Sequence, residues 1–370
     1  MGAVWSLLCR SRTGSQPTTV KHEIKLEDPK PFNQPYCRIP PGTYKEMDWL
    51  YFLVGCAVLF LLLQICTLLR SDCDLALIWM KYIGKSPESL KGQVVWVTGA
   101  SSGIGEALAL KLASAGCRLV LSARREDRLQ TLKQRCVELG YGTPNDYLVL
   151  PLDLLDYDSH KGLVETALKY FKKIDCLVNN AGRSQRAVIS KTSFAVDQQM
   201  LAVNTLGSIS LTKAVLPVFI RQNSGQVVVT SSLAGKIGSP GLASYCASKY
   251  ALHGWFDCLR VESVMYNIHV TVACPGPVFS EALIHAFTED PNKNLGLKMQ
   301  PGEKRMTAAR CAHLMALAMA NNMDEVWLTA NPELSYLYMN QYLPSIFHWL
   351  AKRFGQKRLK KILEGIGDLH

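Results

Sequence analysis

The stretch QVVWVTGASSGIG, Gln93–Gly105, runs from an unbroken apolar segment into a glycine-rich turn and then into a helix-like segment over Ile104–Ala115. An apolar run without alternation reads as a strand covered on both faces. Three glycines in the turn, Gly99, Gly103 and Gly105, let the backbone bend sharply and come close to a ligand. Amide groups at the start of the following helix favour an anion there. A glycine triplet by itself says little. Its place between a strand and a helix makes it a cradle for a dinucleotide pyrophosphate, formed by Thr98, Gly99, Ser101, Ser102, Gly103, Ile104 and Gly105. The competing reading is a tight strand-to-helix turn that holds nothing.

Outward from this turn the alternation repeats. RLVLS precedes a helix-like segment over residues 125–139, YLVLPL one over 159–171, IDCLVNN one over 211–221, and QVVVTSS one over 244–265, before a last apolar run, IHVTVACP. Strands alternating with helices predict right-handed crossovers on a parallel sheet. The expected fold is therefore α/β, a doubly wound parallel sheet forming one Rossmann-type domain over 91–331, with an N-terminal transmembrane helix. Residues 71–90 read as a linker, and 332–370 as an aromatic and then basic C-terminal extension.

The transmembrane expectation rests on LYFLVGCAVLFLLLQICTLL, Leu50–Leu69, which has no charge and only Gln64 strongly polar. About 20 apolar residues are what a helix needs to cross the hydrocarbon layer. Trp49 and Tyr51 flank one end and Arg70 the other, so 47–70 reads as a retained single-pass anchor. A cleaved signal peptide competes, but it calls for a shorter run nearer Met1. Residues 1–46 read as a flexible tail. Within it MGAVWS matches the myristoylation pattern at Gly2, with Cys9 nearby for palmitoylation, unless Met47 is the natural start. Flanking charge is similar on both sides of the anchor, so it does not orient it.

The chain of 370 residues is 48% hydrophobic and 19% charged, with a net charge of +11. Lys352, Arg353, Lys357, Arg358, Lys360 and Lys361 concentrate that charge near the C-terminus. Preceded by LSYLYMNQYLPSIFHWLAKRF, they fit an amphipathic element on a lipid surface or an ordinary packing helix. No nucleic-acid module accompanies them, so nucleic acid is not an expected partner. The cysteines show no paired spacing and no cluster with histidine, so no metal site is expected.

Cofactor choice is legible after RLVLS, where an acidic residue would bind the ribose 2′-hydroxyl of NAD. Here stand Ser122, Ala123, Arg124 and Arg125. Arginine suits the 2′-phosphate of NADP, so NADP(H) is expected with Arg124 as its reader and Arg125 as a solvated helix residue. Two places fit Tyr-x-x-x-Lys: Tyr157 with Lys161, and Tyr245 with Lys249. Only the second opens a long helix thirteen positions after a serine, Ser232, at the end of a strand. Carbonyl reduction requires a proton on the developing alkoxide, which a phenol of ordinary pKa near 10 can donate. A lysine at i+4 on the same helix face would bring that pKa nearer the working pH.

The spacing Gly99-x3-Gly103-x-Gly105, NNAG at Asn179–Gly182, LDLLD after the third strand, and Ser232 with Tyr245 and Lys249 together resemble the short-chain dehydrogenase/reductase superfamily. The resemblance implies Asn204, in LAVNTLG, as a fourth catalytic position that holds a water between Lys249 and solvent. It also implies that Lys249 binds the nicotinamide ribose and Ser232 the substrate oxygen. Asp153 would approach the adenine, Asn180, Ala181 and Gly182 would border the cofactor, and CPGPVFS would face the nicotinamide through Pro275, Gly276 and Val278. The anchor followed by DCDLALIWMKYIGKSP resembles a membrane-bound branch found at the endoplasmic reticulum, acting on steroids, retinoids and other carbonyl compounds. A small lipophilic carbonyl or alcohol, membrane lipid and a homodimeric partner are the associations this leaves open. Residues Glu281–Gln300 fall where such folds carry a substrate lid, with Leu283, Ile284, Phe287 and Leu295 available to an apolar ligand. Two rivals remain: a non-catalytic, membrane-bound NADP(H)-binding protein on the same fold, and a sugar-nucleotide epimerase, whose glycine spacing differs.

Overall fold

The computed structural model describes residues 41–300 and 302–363, with side chains from 48 to 356. Seven strands form one parallel sheet: β1 (Val94–Thr98), β2 (Arg118–Ser122), β3 (Tyr147–Val149), β4 (Cys176–Asn179), β5 (Gly225–Thr230), β6 (Ile268–Pro275) and β7 (Glu325–Leu328). Their order is β3-β2-β1-β4-β5-β6-β7. The chain thus winds outward from β1 in one direction and then returns to lay β4 on its other side. Ligands bind at such a switch point, beyond the carboxyl ends of the strands.

Side chains of β1 alternate between two cores. Val95 and Val97 pack with α3 (Gly103–Ser114), α4 (Glu126–Glu138) and α9 (Ala308–Ala320). Val94 and Trp96 pack with α5 (Ser159–Phe171), α7 (Gly207–Gln222) and α8 (Ala243–Glu262). All four are fully buried, and each such side chain contributes about 1.5–3 kcal/mol. The buried Trp96 indole also needs a partner: it donates to Ser122 Oγ at 2.8 Å, which in turn donates to Leu150 O at 2.7 Å. That relay ties β1 and β2 to the segment after β3.

Helix α1 (Pro41–Arg70) contains 23 residues, Asp48–Arg70, that are long and apolar enough to cross a membrane, with none of the apolar window buried in protein. A second apolar stretch, Phe194–Gln222, is half buried; it is core, comprising α6 (Phe194–Leu201) and α7 joined by a π-helical turn at Ala202–Leu206.

Two boundaries differ from the sequence reading. Residues 41–46, expected in the flexible tail, belong to α1, while the myristoylation pattern and Cys9 lie outside the described residues. Residues 71–90 are not a linker. They form α2 (Leu75–Ile83) and a short 3-10 turn, and Cys73, Leu77 and Leu90 are buried in the domain core. Two aspartates lock this segment down. Asp72 receives both arms of Arg310, at 2.7 and 2.9 Å. Asp74 caps α2 through Leu77 N at 2.9 Å and accepts Trp327 N at 2.6 Å. The C-terminal extension is also structured, as α10 (Glu333–Tyr342) and α11 (Pro344–Leu363).

Candidate active site

The glycine turn takes its shape from two residues in the left-handed region, Gly99 at φ +66° and Gly103 at φ +60°. A Cβ on Gly99 would lie 2.8 Å from Ala181 Cα, so the turn and the NNAG segment touch backbone to backbone. Thr98 staples them: its hydroxyl donates to Val178 O at 3.0 Å and accepts from the amides of Asn180 and Ala181 at 3.0 and 3.1 Å. Asn180 returns the contact by donating to Thr98 O at 3.1 Å. These two side chains build the cradle while their backbones border it.

One cavity of about 860 Å³ runs along this edge of the sheet. Every residue expected at the site borders it except Gly105 and Asn204. Gly105 sits behind the turn, where a Cβ would meet Gly99 O at 2.2 Å and Asn180 Nδ2 at 2.5 Å, so its glycine serves the packing of α3 against the turn and Asn180. At one end Arg124, Leu152 and Asp153 also line a second, smaller depression. Arg125 is not the solvated residue expected: it is half-buried and donates to Ser101 and Ser102 Oγ, each at 3.2 Å, across the mouth of the glycine turn. The anionic partner of both Arg125 and Arg128 is Glu281, at 3.5 and 2.8 Å, on the segment expected as a lid.

At the other end, Tyr245 and Lys249 face the cavity from the first turns of α8 and Ser232 from just after β5. Tyr157 and Lys161, the rival pair, do not border it. The Ser232 hydroxyl accepts from Ala234 N at 3.2 Å and donates to Pro275 O at 3.4 Å, and it stands close enough to the Tyr245 phenol to lower its pKa. Lys249 is 4% exposed. Its Nζ donates to Thr230 O at 2.8 Å and lies 5.7 Å from the centre of the Tyr245 ring. Burial lowers the ammonium to about 8. Burial also raises the phenol, opposed by the Ser232 hydroxyl and the Arg186 charge. A second cation that favours the phenolate is Arg186, which the sequence reading did not single out and which also borders the cavity.

Asn204 lies in the π-helical turn between α6 and α7, a distortion that recurs at functional sites because it redirects one side chain. It is buried and grips the backbone of Arg183 from both sides: Oδ1 accepts Arg183 N at 2.8 Å and Nδ2 donates to Arg183 O at 2.9 Å. Nδ2 also donates to Ser248 Oγ at 2.9 Å. A Cβ on Gly182 would stand 3.0 Å from Asn204 Oδ1 and 3.6 Å from Lys249 Nζ, so only glycine leaves the space between them open.

Past β6, Val278 is buried and bridges Met306. Within the lid segment Leu283 and Phe287 are buried and border the cavity, whereas Ile284 and Leu295 do not. The Arg183 guanidinium stacks 3.6 Å from the Phe287 ring centre, fixing lid to core. Sequence reading also missed the contribution of the C-terminus: Tyr336 and Met339 of α10 and Phe347, Leu350 and Phe354 of α11 border the same cavity.

The residues fit a dinucleotide. The turn presents unobstructed backbone, an arginine stands at one end, and a phenol, hydroxyl and amine stand at the other. Known proteins agree. The short chain dehydrogenase family model matches residues 93–290, more than half of the chain. Dehydrogenase/reductase SDR family member 7 from Homo sapiens is 44% identical over 325 residues, covering 86% of this chain and 96% of that protein. A Drosophila melanogaster dehydrogenase/reductase SDR family protein 7-like is 34% identical, covering 75% and 85%. Among solved structures, an alcohol dehydrogenase from the archaeon Thermococcus sibiricus complexed with 5-hydroxy-NADP superposes with a TM-score of 0.57 at 25% identity. It covers 65% of this chain and 97% of its own. A short-chain dehydrogenase from Streptomyces avermitilis gives 0.59 at 26%, covering 72% and 97%. Sheet order, glycine turn and relatives thus lead to one place: the chain belongs to the short-chain dehydrogenase/reductase family, oxidoreductases that use a nicotinamide dinucleotide.

Proposed function

We propose that this protein interconverts a carbonyl and an alcohol on a small lipophilic substrate, a steroid, retinoid or foreign carbonyl compound, with NADP(H) as cofactor. We place it as a single-pass protein of the endoplasmic reticulum membrane, on the resemblance of its anchor. The observation that carries the chemistry is the convergence of Ser232, Tyr245 and Lys249 on the cavity that also holds the glycine turn. Bound there, the nicotinamide supplies or accepts the hydride. The side chains do the rest. Ser232, which borders the cavity with the phenol, holds the substrate oxygen beside it. Tyr245 donates its proton to that oxygen in reduction and takes it back in oxidation. Lys249 binds the ribose and completes the polar floor, while Asn204 fixes the Arg183 backbone and helix α8 that flank it. The arginine at the far end supports NADP(H), since Arg124 borders the cavity and no acidic residue stands between the end of β2 and Glu126 in α4.

The test is NADPH oxidation by the detergent-solubilised protein across steroid, retinal and aromatic carbonyls, with Tyr245→Phe as the control. Turnover with at least one carbonyl, lost by a factor of about a thousand or more in the variant while NADPH binding persists, supports the reading. NADPH binding without turnover on any carbonyl favours the non-catalytic alternative.

A further inference from the structure

Helix α11 carries an apolar side that none of the described residues covers. Leu343, just before it, and Ile346, Trp349 and Phe354 within it are 50–61% exposed. Leu343, Ile346, Phe347, Leu350 and Phe354 recur at the three- and four-residue steps of one helix face. Soluble domains bury such a face. Here its inner edge, Phe347, Leu350 and Phe354, borders the mouth of the substrate cavity, and its outer edge is bare.

Two further observations say what covers it. The first is position. The last turn of the apolar span is hydrogen-bonded to the root of α10, with Asn331 Nδ2 donating to Leu68 O at 2.7 Å, and the start of α2 is tied to α10 by Leu75 N donating to Tyr338 Oη at 3.0 Å. The C-terminal helices therefore start at the level where the chain leaves the span. The second is charge. From Leu334 to Leu363 there is no acidic residue, while Lys352, Arg353, Lys357, Arg358, Lys360 and Lys361 all fall in α11. Each cation near an anionic leaflet contributes about 1 kcal/mol, and an aromatic side chain such as Trp349 prefers the interface.

We propose that α11 lies in the surface of an anionic membrane, with Ile346 and Trp349 in the headgroup layer, so that the cavity mouth opens onto lipid and the lipophilic substrate arrives from the bilayer. This deepens the proposed function and rests on α1 as a membrane span. Neither Ile346 nor Trp349 borders the cavity, so both can be changed without touching the site.

The experiment uses the full chain reconstituted in phosphatidylcholine vesicles with and without phosphatidylserine, the lipids brominated near the headgroup end of the acyl chains. The fluorescence difference between wild type and Trp349→Phe isolates Trp349. Quenching of that difference by brominated lipid, stronger with phosphatidylserine and weakened by salt, is expected. A second variant, Ile346→Asp with Trp349→Asp, should raise KM several-fold for a lipophilic carbonyl presented in vesicles, while leaving KM for a small water-soluble carbonyl and kcat for both unchanged. A Trp349 signal open to aqueous acrylamide but not to brominated lipid overturns the proposal, as does a self-associated chain whose Trp349 is shielded from both. Alkaline washing separates the two readings. Full-length protein that washes off refutes the span, whereas protein that stays with Trp349 unquenched refutes only the placement of α11.

Discussion

Replacing Lys249 with methionine, a side chain of similar length without charge, should change how stability depends on pH. The lysine is 4% exposed, has a single neutral acceptor, Thr230 O at 2.8 Å, and is lowered by burial from 10.5 to about 8. In the unfolded chain it keeps its proton until about 10.5, so between pH 8 and 10.5 the unfolded state binds more protons and wild-type stability rises with pH. Below pH 8 both states carry the charge and the penalty is constant. The fall from 10.5 to about 8 corresponds to about 3 kcal/mol. The methionine variant lacks this titration, and every other titrating group cancels when the two proteins are compared. Thermal melts of the solubilised, cofactor-free proteins from pH 7 to 10.5 should therefore diverge, wild type gaining about 3 kcal/mol on the variant across that window. Melting curves that shift in parallel over the whole range would refute the reasoning, because the ammonium would then be solvated or paired. At pH 7 the amine remains mostly protonated, which is the form that can donate to a ribose hydroxyl, so NADP(H) binding near pH 8 should take up protons.

Arg124→Asp should weaken NADPH by roughly tenfold or more and shift preference toward NADH, since the 2′-phosphate loses a cation and meets a like charge; an unchanged ratio of kcat/KM for the two cofactors would hand the role to Arg125. Glu325 is held near 2, against 4.5 ordinarily: burial raises it, but His253, Trp327 and Lys236 lower it further. Its contribution is present above pH 4.5 and lost as pH falls toward 2, about 3 kcal/mol at most. In Glu325→Gln, urea melts between pH 6 and 3 should show a shallower loss of stability than wild type.

The sheet was legible because its strands are apolar on both faces and bounded by turn residues, so β1, β2, β4, β5 and β6 announce themselves. β7 did not: EVWL is four residues with Glu325 and Trp327 only partly buried, and its identity comes only from pairing with β6. The segment 71–90 misled for a related reason. DCDLALIWM is too short to show a period, and what makes it core is the reach of Asp72 and Asp74 to Arg310 and Trp327, about 240 and 250 residues away in sequence. Contacts that distant leave no local mark.

The site divides along the same line. Gly99, Ser232, Tyr245 and Lys249 were readable since each sits at a fixed offset from a strand end that sequence could locate. Arg186 and Arg125 were not, because an arginine's influence depends on where a long side chain folds back. The outcome bears on how the phenol is tuned. Lys249 at i+4 is buried, donates to Thr230 O and stands 5.7 Å from the ring centre. Arg186, from the segment after NNAG, supplies the opposing charge on the phenol. That segment is itself paired with the lid: Arg186 N donates to Phe287 O and Phe287 N to Ser184 O, at 2.8 and 2.9 Å. The backbone that carries Arg186 is therefore the one that holds Phe287, so the charge that lowers Tyr245 and the segment that borders the cavity through Leu283 and Phe287 are positioned together.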